Sequence, residues 1–481
     1  MINLTDFLAL APEITLLLMV SITLLIRLFS TEKNMMPVYY SSQLSCVFTL
    51  AAILYLYITK SFGSSFSGMW EVDEFSLAIK MVISTGMMFI FCYGKDYLKQ
   101  LDHGRGDYYL LALLALLGML VLPSATNLLM LFMGIEIMSL PIYAMVALWR
   151  NESSCVEAAL KYFITGAVAS CLLLYGFSLL YGATGLLNFA DIKIFLDFNP
   201  TTPSLLLPLA VTFICAGFAF KLGAVPFHNW APDVYEGAPL PVTLLIATLP
   251  KIAIFSVVLR LFAFALAGVS SLWSGIFFLI ALLSIIVGNI VAMAQQNIRR
   301  MLAYSSIAHM GYLLLGLGLA NDSGYSAALF YILIYVIANL AIFGLLLSVN
   351  HKHKFIASIS DMTGIYHTYP MFAFLLLLVM FSLAGVPPIV GFMAKLAIFS
   401  ALVKVNLTFI AVIAILFTLL GAFYYIRVLK TAYFEKGSDH FKMIFSGYTS
   451  AVLFINTLAL LLLGMFPGFV FSLCNYLVLP F

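Results

Sequence analysis

Charge is what this 481-residue chain lacks. Only 9% of its residues are Asp, Glu, Lys or Arg, against 64% hydrophobic, whereas water-soluble domains carry about 25% charged residues. The mean hydropathy of +1.10 goes with that deficit, and a water-soluble fold is excluded. The charges form no basic block and no acidic tail, and their net value is +3, so nothing points to nucleic acid as a partner. No G-x-x-x-x-G-K-[ST] loop is present, nor a G-x-G-x-x-G motif opening a strand–helix unit. Nucleotide hydrolysis by this chain alone is therefore not expected. The six cysteines (Cys46, Cys92, Cys155, Cys171, Cys215, Cys474) include no C-x-x-C pair, which leaves no ligand set for an iron–sulfur cluster. They read as small buried hydrophobes. The N-terminal MINLTDFLALAPEITLLLMV has no early basic region and no small-residue cleavage site, so it reads as a retained first span rather than a signal peptide.

What remains is a succession of long apolar runs, each able to cross a hydrocarbon core of about 30 Å. They lack the period-2 alternation of barrel strands, and lipid admits only helices or closed barrels. The expectation is an all-α polytopic membrane protein. Charge clusters and Gly/Pro/Asn breaks divide the chain into fourteen spans, at 10–29, 36–59, 75–94, 108–122, 126–148, 155–182, 205–228, 240–265, 272–293, 301–320, 325–349, 370–401, 406–429 and 449–475. Connections are short, the longest being 183–204 and 430–448, so no extramembrane domain is expected. Loops after odd-numbered spans hold fourteen Lys and Arg residues and the other side only four, Arg260 among them. By the positive-inside rule, both termini lie outside the cytoplasm or matrix.

Five lysines remain inside spans: Lys80, Lys161, Lys221, Lys251 and Lys395. Glu136 reads as the one mid-span carboxylate. Each such charge costs roughly 2.5–3.5 kcal/mol on insertion scales and is a functional candidate by default. Lys221 and Lys395 are 174 residues apart, and Glu136 and His309 are 173 apart. A similar offset carries Lys161 to Tyr335 and Lys251 to Tyr425. Five spans separate each pair, and an odd number gives the two halves opposite topology, the inverted-repeat plan of many transporters.

Lys221 lies five residues before Pro226 in FAFKLGAVPFHNWAPDVYEGAP. The proline removes a backbone donor and frees carbonyls near residue 222, which membrane depth tolerates only against protein or water. A lysine beside such a break meets water and can take up and release a proton. Pro387-Pro388, flanked by Gly385 and Gly391, repeat that arrangement ahead of Lys395. Lys251 follows Pro250, far from either surface. Glu157 and Lys161 are spaced i, i+4 on one helix face, which also suits an interfacial ion pair. Glu136 has no cation nearby in sequence and calls for a lysine from another helix, Lys221 or Lys161. His228 at the mouth of span 7 and His309 in span 10 suit proton relay. Lys80 reads as a lysine that snorkels outward, and Tyr335 and Tyr425 as packing ahead of hydroxyl relays. Pro232-Asp233 reads as loop.

The segments GIEIMSLPIYAM, EAALKY, FKLGAVPFHNWAPDVYEGAP, PKIAIFSVVLRLF, GNIVAMAQQNIRRMLAYSSIAHMGYLL and LAGVPPIVGFMAK closely resemble the antiporter-like N-subunit family of respiratory complex I (NADH–quinone oxidoreductase), itself related to multi-subunit cation/proton antiporters. The resemblance covers essentially the whole chain and is closer to proteobacterial than to mitochondrial forms. It implies five-helix inverted repeats at spans 4–8 and 9–13 with spans 7 and 12 broken. The corresponding divisions are 1–94 for three N-terminal spans, 107–265 and 272–433 for the repeats, and 449–475 for the last span. It further implies Glu136, Lys161, Lys221, Lys251, His228, His309 and Lys395 as a proton pathway, with uptake towards Lys251, exchange at Lys221 under control of Glu136 and Lys161, and exit by Lys395. Lys80 has no counterpart in the family pattern. No cofactor is implied in this chain. NADH, FMN, iron–sulfur clusters and quinone would belong to the parent complex, with the other membrane-arm subunits as partners and the bacterial inner membrane, rather than the mitochondrial one, as the location. A free-standing cation/proton antiporter and a non-pumping scaffold stay open beside that reading.

Overall fold

The fourteen apolar runs fold as helices, several of them interrupted. The computed structural model describes residues 4–31, 34–99, 105–198, 205–351, 354–435 and 441–479. Among these, twelve helices are long and apolar enough to cross a membrane. The remaining two expected spans are the broken ones, Leu206–Leu222 followed by Trp230–Gly237, and Pro370–Ala384 followed by Val390–Lys404. Of the loop cations behind the topology expectation, Lys33, Lys352 and Lys436 lie outside the described residues.

Polar side chains cap some of the spans where the apolar runs begin. Asp73 accepts from the Ser76 backbone N–H and closes a capping box on Glu74–Leu98. Asn127 caps Leu128–Val146, Asn297 caps Ile298–Gly318, and Asn321 caps Asp322–Ser348. Each side-chain oxygen satisfies a backbone donor that the first helical turn leaves without a partner. Two corners recur at a spacing of 170 residues. Leu128 N–H donates to Leu187 O and Phe189 N–H to Thr126 O; Ile298 N–H donates to Ala357 O and Ile359 N–H to Gln296 O, all at 2.9–3.1 Å.

The described residues form two compact units, one from Met1–Lys221 with Leu249–Trp273, the other from Leu222–Thr248 with Ser274–Pro480. In the first unit, small residues bring helices close, as apolar surroundings require. A Cβ at Gly217 would meet Leu173 at 2.8 Å, and one at Gly176 the Ile214 backbone nitrogen at 2.9 Å. The Ser153–Thr184 and Leu206–Leu222 helices thus pack almost backbone to backbone. In the second unit, Gly311 faces Ala281 O and Gly288 faces Ala308 N, each at 2.7 Å from a would-be Cβ.

Several expectations are corrected. The connection 183–204 holds a helix, Phe189–Phe198, and short strands occur outside the spans: Gly63–Ser65 pairs with Trp70–Val72, and Val349–His351 pairs with both Lys354–Phe355 and Phe441–Met443. Pro232 and Asp233 are not loop. They fall in the first turn of Trp230–Gly237, where a proline loses no hydrogen bond that the helix could have made. Span 8 is itself interrupted: Leu240–Ala247 stops at Thr248 (φ −120°, ψ −88°), Leu249–Leu259 resumes, and a wider π turn follows over Arg260–Ala265. Arg260, counted for topology at the end of span 8, is buried and paired with Glu71 and Asp73. Lys80 does not snorkel outward. It is fully buried 2.7 Å from Glu13 of span 1, a second intraspan carboxylate that the sequence reading passed over. Five of the cysteines are buried, while Cys171 is exposed.

Candidate functional site

In the first unit, span 7 brings its polar end against spans 5 and 6. Leu206–Leu222 ends one residue before Gly223, whose φ of +76° suits a residue without a Cβ, and Lys221 lies in that last turn. Its Nζ donates to Ser139 Oγ and Ser170 Oγ, both at 3.2 Å, and reaches Tyr143 Oη at 3.5 Å. Ser139 and Tyr143 share the Leu128–Val146 helix with Glu136, on turns that Pro141 interrupts. Gly166 leaves the space that the Tyr143 hydroxyl fills. Ser170 Oγ donates to Glu136 Oε1 at 2.5 Å. Glu136 thus meets Lys221 through one hydroxyl and not as a direct ion pair. A serine that accepts from the lysine and donates to the carboxylate links their two charges along one hydrogen-bonded line.

Lys161 is elsewhere. It is 45% exposed and forms its ion pair, 2.7 Å, with Glu157 at i, i+4 on the Ser153–Thr184 helix, among the exposed side chains of Leu160, Phe163 and Ile164. Lys251 is buried three residues past the Thr248 interruption, among helix residues that are themselves buried.

The second unit holds the other three expected residues. Pro370–Ala384 ends at Gly385 (φ +82°), and Lys395 reaches back from Val390–Lys404 to cap it. Nζ donates to Leu383 O at 2.9 Å and Ala384 O at 2.8 Å, and stands 5.4 Å from the centre of the Tyr312 ring. The second break thus presents to Lys395 the kind of carbonyl expected beside Lys221. Gly391 packs so tightly against Ser382 O that any Cβ would overlap it. His309 is buried with Nδ1 2.6 Å from Tyr331 Oη and Nε2 3.2 Å from Tyr425 Oη. Tyr425 Oη continues to Ser305 Oγ at 2.5 Å, and the neighbouring Ser306 Oγ meets Tyr335 Oη at 2.7 Å. Tyr335 and Tyr425, expected as packing, are therefore hydroxyl members of one cluster. A cavity of about 10 Å³, lined by His309, Tyr331, Tyr335, Ser382 and Leu383 among others, has room for about one water. His228 lies half-buried in the turn before Trp230, with its ring 6.4 Å from that of Tyr304.

The structure thus joins Glu136 with Lys221, and His309 with Tyr331 and Tyr425; it does not join Glu136 with Lys161. Sequence reasoning missed Ser139, Tyr143 and Ser170. The only signal for them was polarity at i+3 and i+7 from Glu136, and a serine in an apolar run.

The family of transmembrane domains described as NADH:quinone oxidoreductase/Mrp antiporter matches residues 125–421. The chain is 41% identical over 477 residues to NADH-quinone oxidoreductase subunit N of Coxiella burnetii, covering 98% of this chain and 99% of the relative. Among solved structures, a chain of respiratory complex I from Thermus thermophilus superposes with a TM-score of 0.80 at 30% identity, covering 96% and 98% of the two chains. A chain of the Mrp complex from a Dietzia species shares the fold, with a TM-score of 0.84 at 20% identity and coverage of 99% and 97%.

Proposed function

We propose, from the premise that the chain belongs to the NADH:quinone oxidoreductase/Mrp antiporter transmembrane family, that it is a proton-translocating membrane-arm subunit of an NADH–quinone oxidoreductase. The observation that carries this is the line Lys221–Ser170–Glu136 at the end of a broken helix. A proton bound at Lys221 and a charge on Glu136 act on each other through Ser170, so a change at one is felt at the other. The near-full-length relative of that name and the complex I chain support membership of the larger assembly. The proton is taken up towards Lys251, exchanges at Lys221 and leaves by Lys395, with His228 and His309 as relays. Glu136 is the controlling carboxylate, and the Lys161–Glu157 pair is an outlying element of that control. The repeats 107–265 and 272–433 belong to the same reading, supported by corners that recur at 170 residues. So do NADH oxidation and quinone reduction by other subunits, with no redox centre here, and a place in the bacterial inner membrane with both termini on the periplasmic side.

The experiment is redox-driven proton release from the assembled complex in sealed vesicles, with Lys221→Ala and Glu136→Ala. Both variants are expected to release fewer protons per NADH oxidised. Wild-type release in both contradicts the reading and favours a scaffold.

A further inference from the structure

The first unit carries ionisable groups that the pathway above does not use. Lys80 has no exposed surface, and its Nζ lies 2.7 Å from Glu13 Oε1 and 4.6 Å from the centre of the Trp70 ring. Trp70 opens the strand Trp70–Val72 of the hairpin outside the spans. Arg260 Nη2 donates to both Asp73 oxygens at 2.8 and 2.9 Å, and its Nη1 donates to Glu71 Oε2 at 3.3 Å. The Trp70 ring that Lys80 covers is next in the strand to Glu71, the partner of Arg260. Two ion-paired groups thus meet this one strand, Lys80 with Glu13 against Trp70 and Arg260 with Asp73 and Glu71, and the Glu71 side chain is 41% exposed. The other elements packed on that strand, Gly63–Ser65 and the turn Leu122–Ser124, bring no titratable group; Glu74 follows Asp73.

Among the described residues, these ion pairs set three carboxylates against two cations. Burial holds the Glu71 carboxyl above the usual carboxylate range, against the pull of Arg260 and with the help of Asp73. Packing alone does not account for Glu13 and Lys80. Desolvation costs several kcal/mol per ion, and an apolar pair of similar volume is often as stable or more so. Glu13 Oε2 is moreover buried without a hydrogen bond.

We propose that Glu13 and Lys80 form a second proton-holding site of the first unit, opening to the hairpin side through Asp73 and Glu71. It rests on the proton-moving reading but uses neither Glu136, Lys221 nor Lys395. At rest the pair is an ammonium beside a carboxylate. An arriving proton adds to Glu13, giving a carboxylic acid beside the ammonium. That proton then passes to the Glu71 carboxylate, restoring Glu13, and Glu71 loses it to water. Arg260 stays protonated throughout and holds Asp73 and Glu71 in place.

The test is proton release per NADH oxidised by the assembled complex carrying Glu13→Gln together with Lys80→Met. Neutralising both members of a buried pair spares folding, whereas removing one strands the other's charge, so the double variant separates packing from proton exchange. Wild-type assembly is expected, with release lowered by the same decrement as Lys221→Ala causes. Wild-type release from the double variant overturns the site while a deficient Lys221→Ala leaves the proton-moving reading standing. If Lys221→Ala also releases normally, it is that reading which fails. Loss of assembly by the double variant assigns the pair to folding and also overturns the site. Glu71→Gln, at a position exposed enough to tolerate it, is expected to shift the pH profile of release; an unchanged profile overturns the hairpin as outlet.

Discussion

Lys221 gives its ammonium to side-chain hydroxyls, and Lys395 gives its to two backbone carbonyls. Both stand beside a broken helix that ends at a left-handed glycine. Hydroxyls rotate, and each can donate and accept, whereas carbonyls only accept. The ligands of Lys221 can therefore pass a change onward to Glu136, while those of Lys395 hold it in place. In the second unit the groups able to relay are His309 and its tyrosines. One lysine is joined to a carboxylate through a hydroxyl, and the other holds the end of a helix beside a histidine–tyrosine cluster.

The comparison can be broken first at the glycines. Gly391→Ala would drive a Cβ into the Ser382 carbonyl, and loss of assembled complex on native gels is expected. Gly223→Ala meets nothing closer than Trp230 at 3.6 Å, so it should cost only the left-handed strain of roughly 1–2 kcal/mol. Next come the lysines themselves. Lys395→Met orphans two buried carbonyls at about 1–3 kcal/mol each. Lys221→Met leaves hydroxyls that can rotate to other acceptors. The first should lower the thermal inactivation temperature of the purified complex more than the second, and the reverse order would end the distinction between cap and relay. Ser170→Ala is expected to match Lys221→Ala in lost proton release, because it cuts the link to Glu136 while leaving both ionisable groups. The smallest effects belong to Tyr331→Phe and Tyr425→Phe. Each removes one hydrogen bond to His309, worth about 0.6 and at most about 1.7 kcal/mol within a membrane, and a modest fall in release is the expected readout.

The spans were legible because about twenty apolar residues in a row admit one physical interpretation, and the breaks in spans 7 and 12 because Gly and Pro announce them. The interruption at Thr248 was not: Pro250 alone permits a straight helix start as readily as a bend. Lys80 was misread because its partner, Glu13, is 67 residues away on another span, and a lysine's place along its own span does not tell what covers it. Tyr335 and Tyr425 were misread because a tyrosine in an apolar run looks like bulk until its hydroxyl finds Ser306 or His309. Offsets of 173 and 174 paired Glu136 with His309 and Lys221 with Lys395, but the corners recur at 170, which sets Glu136 opposite Ser306 and Ser139 opposite His309. Charge was legible; hydroxyls, which connect the charges, were not.

The central claim is that Lys221 itself gains and loses a proton. Arginine keeps the positive charge and the donors but does not deprotonate in a protein. Proton release per NADH oxidised should therefore fall in Lys221→Arg to the level of Lys221→Ala in an equally assembled complex. Release at the wild-type level from Lys221→Arg would mean that only a fixed charge is needed there, and would contradict the account.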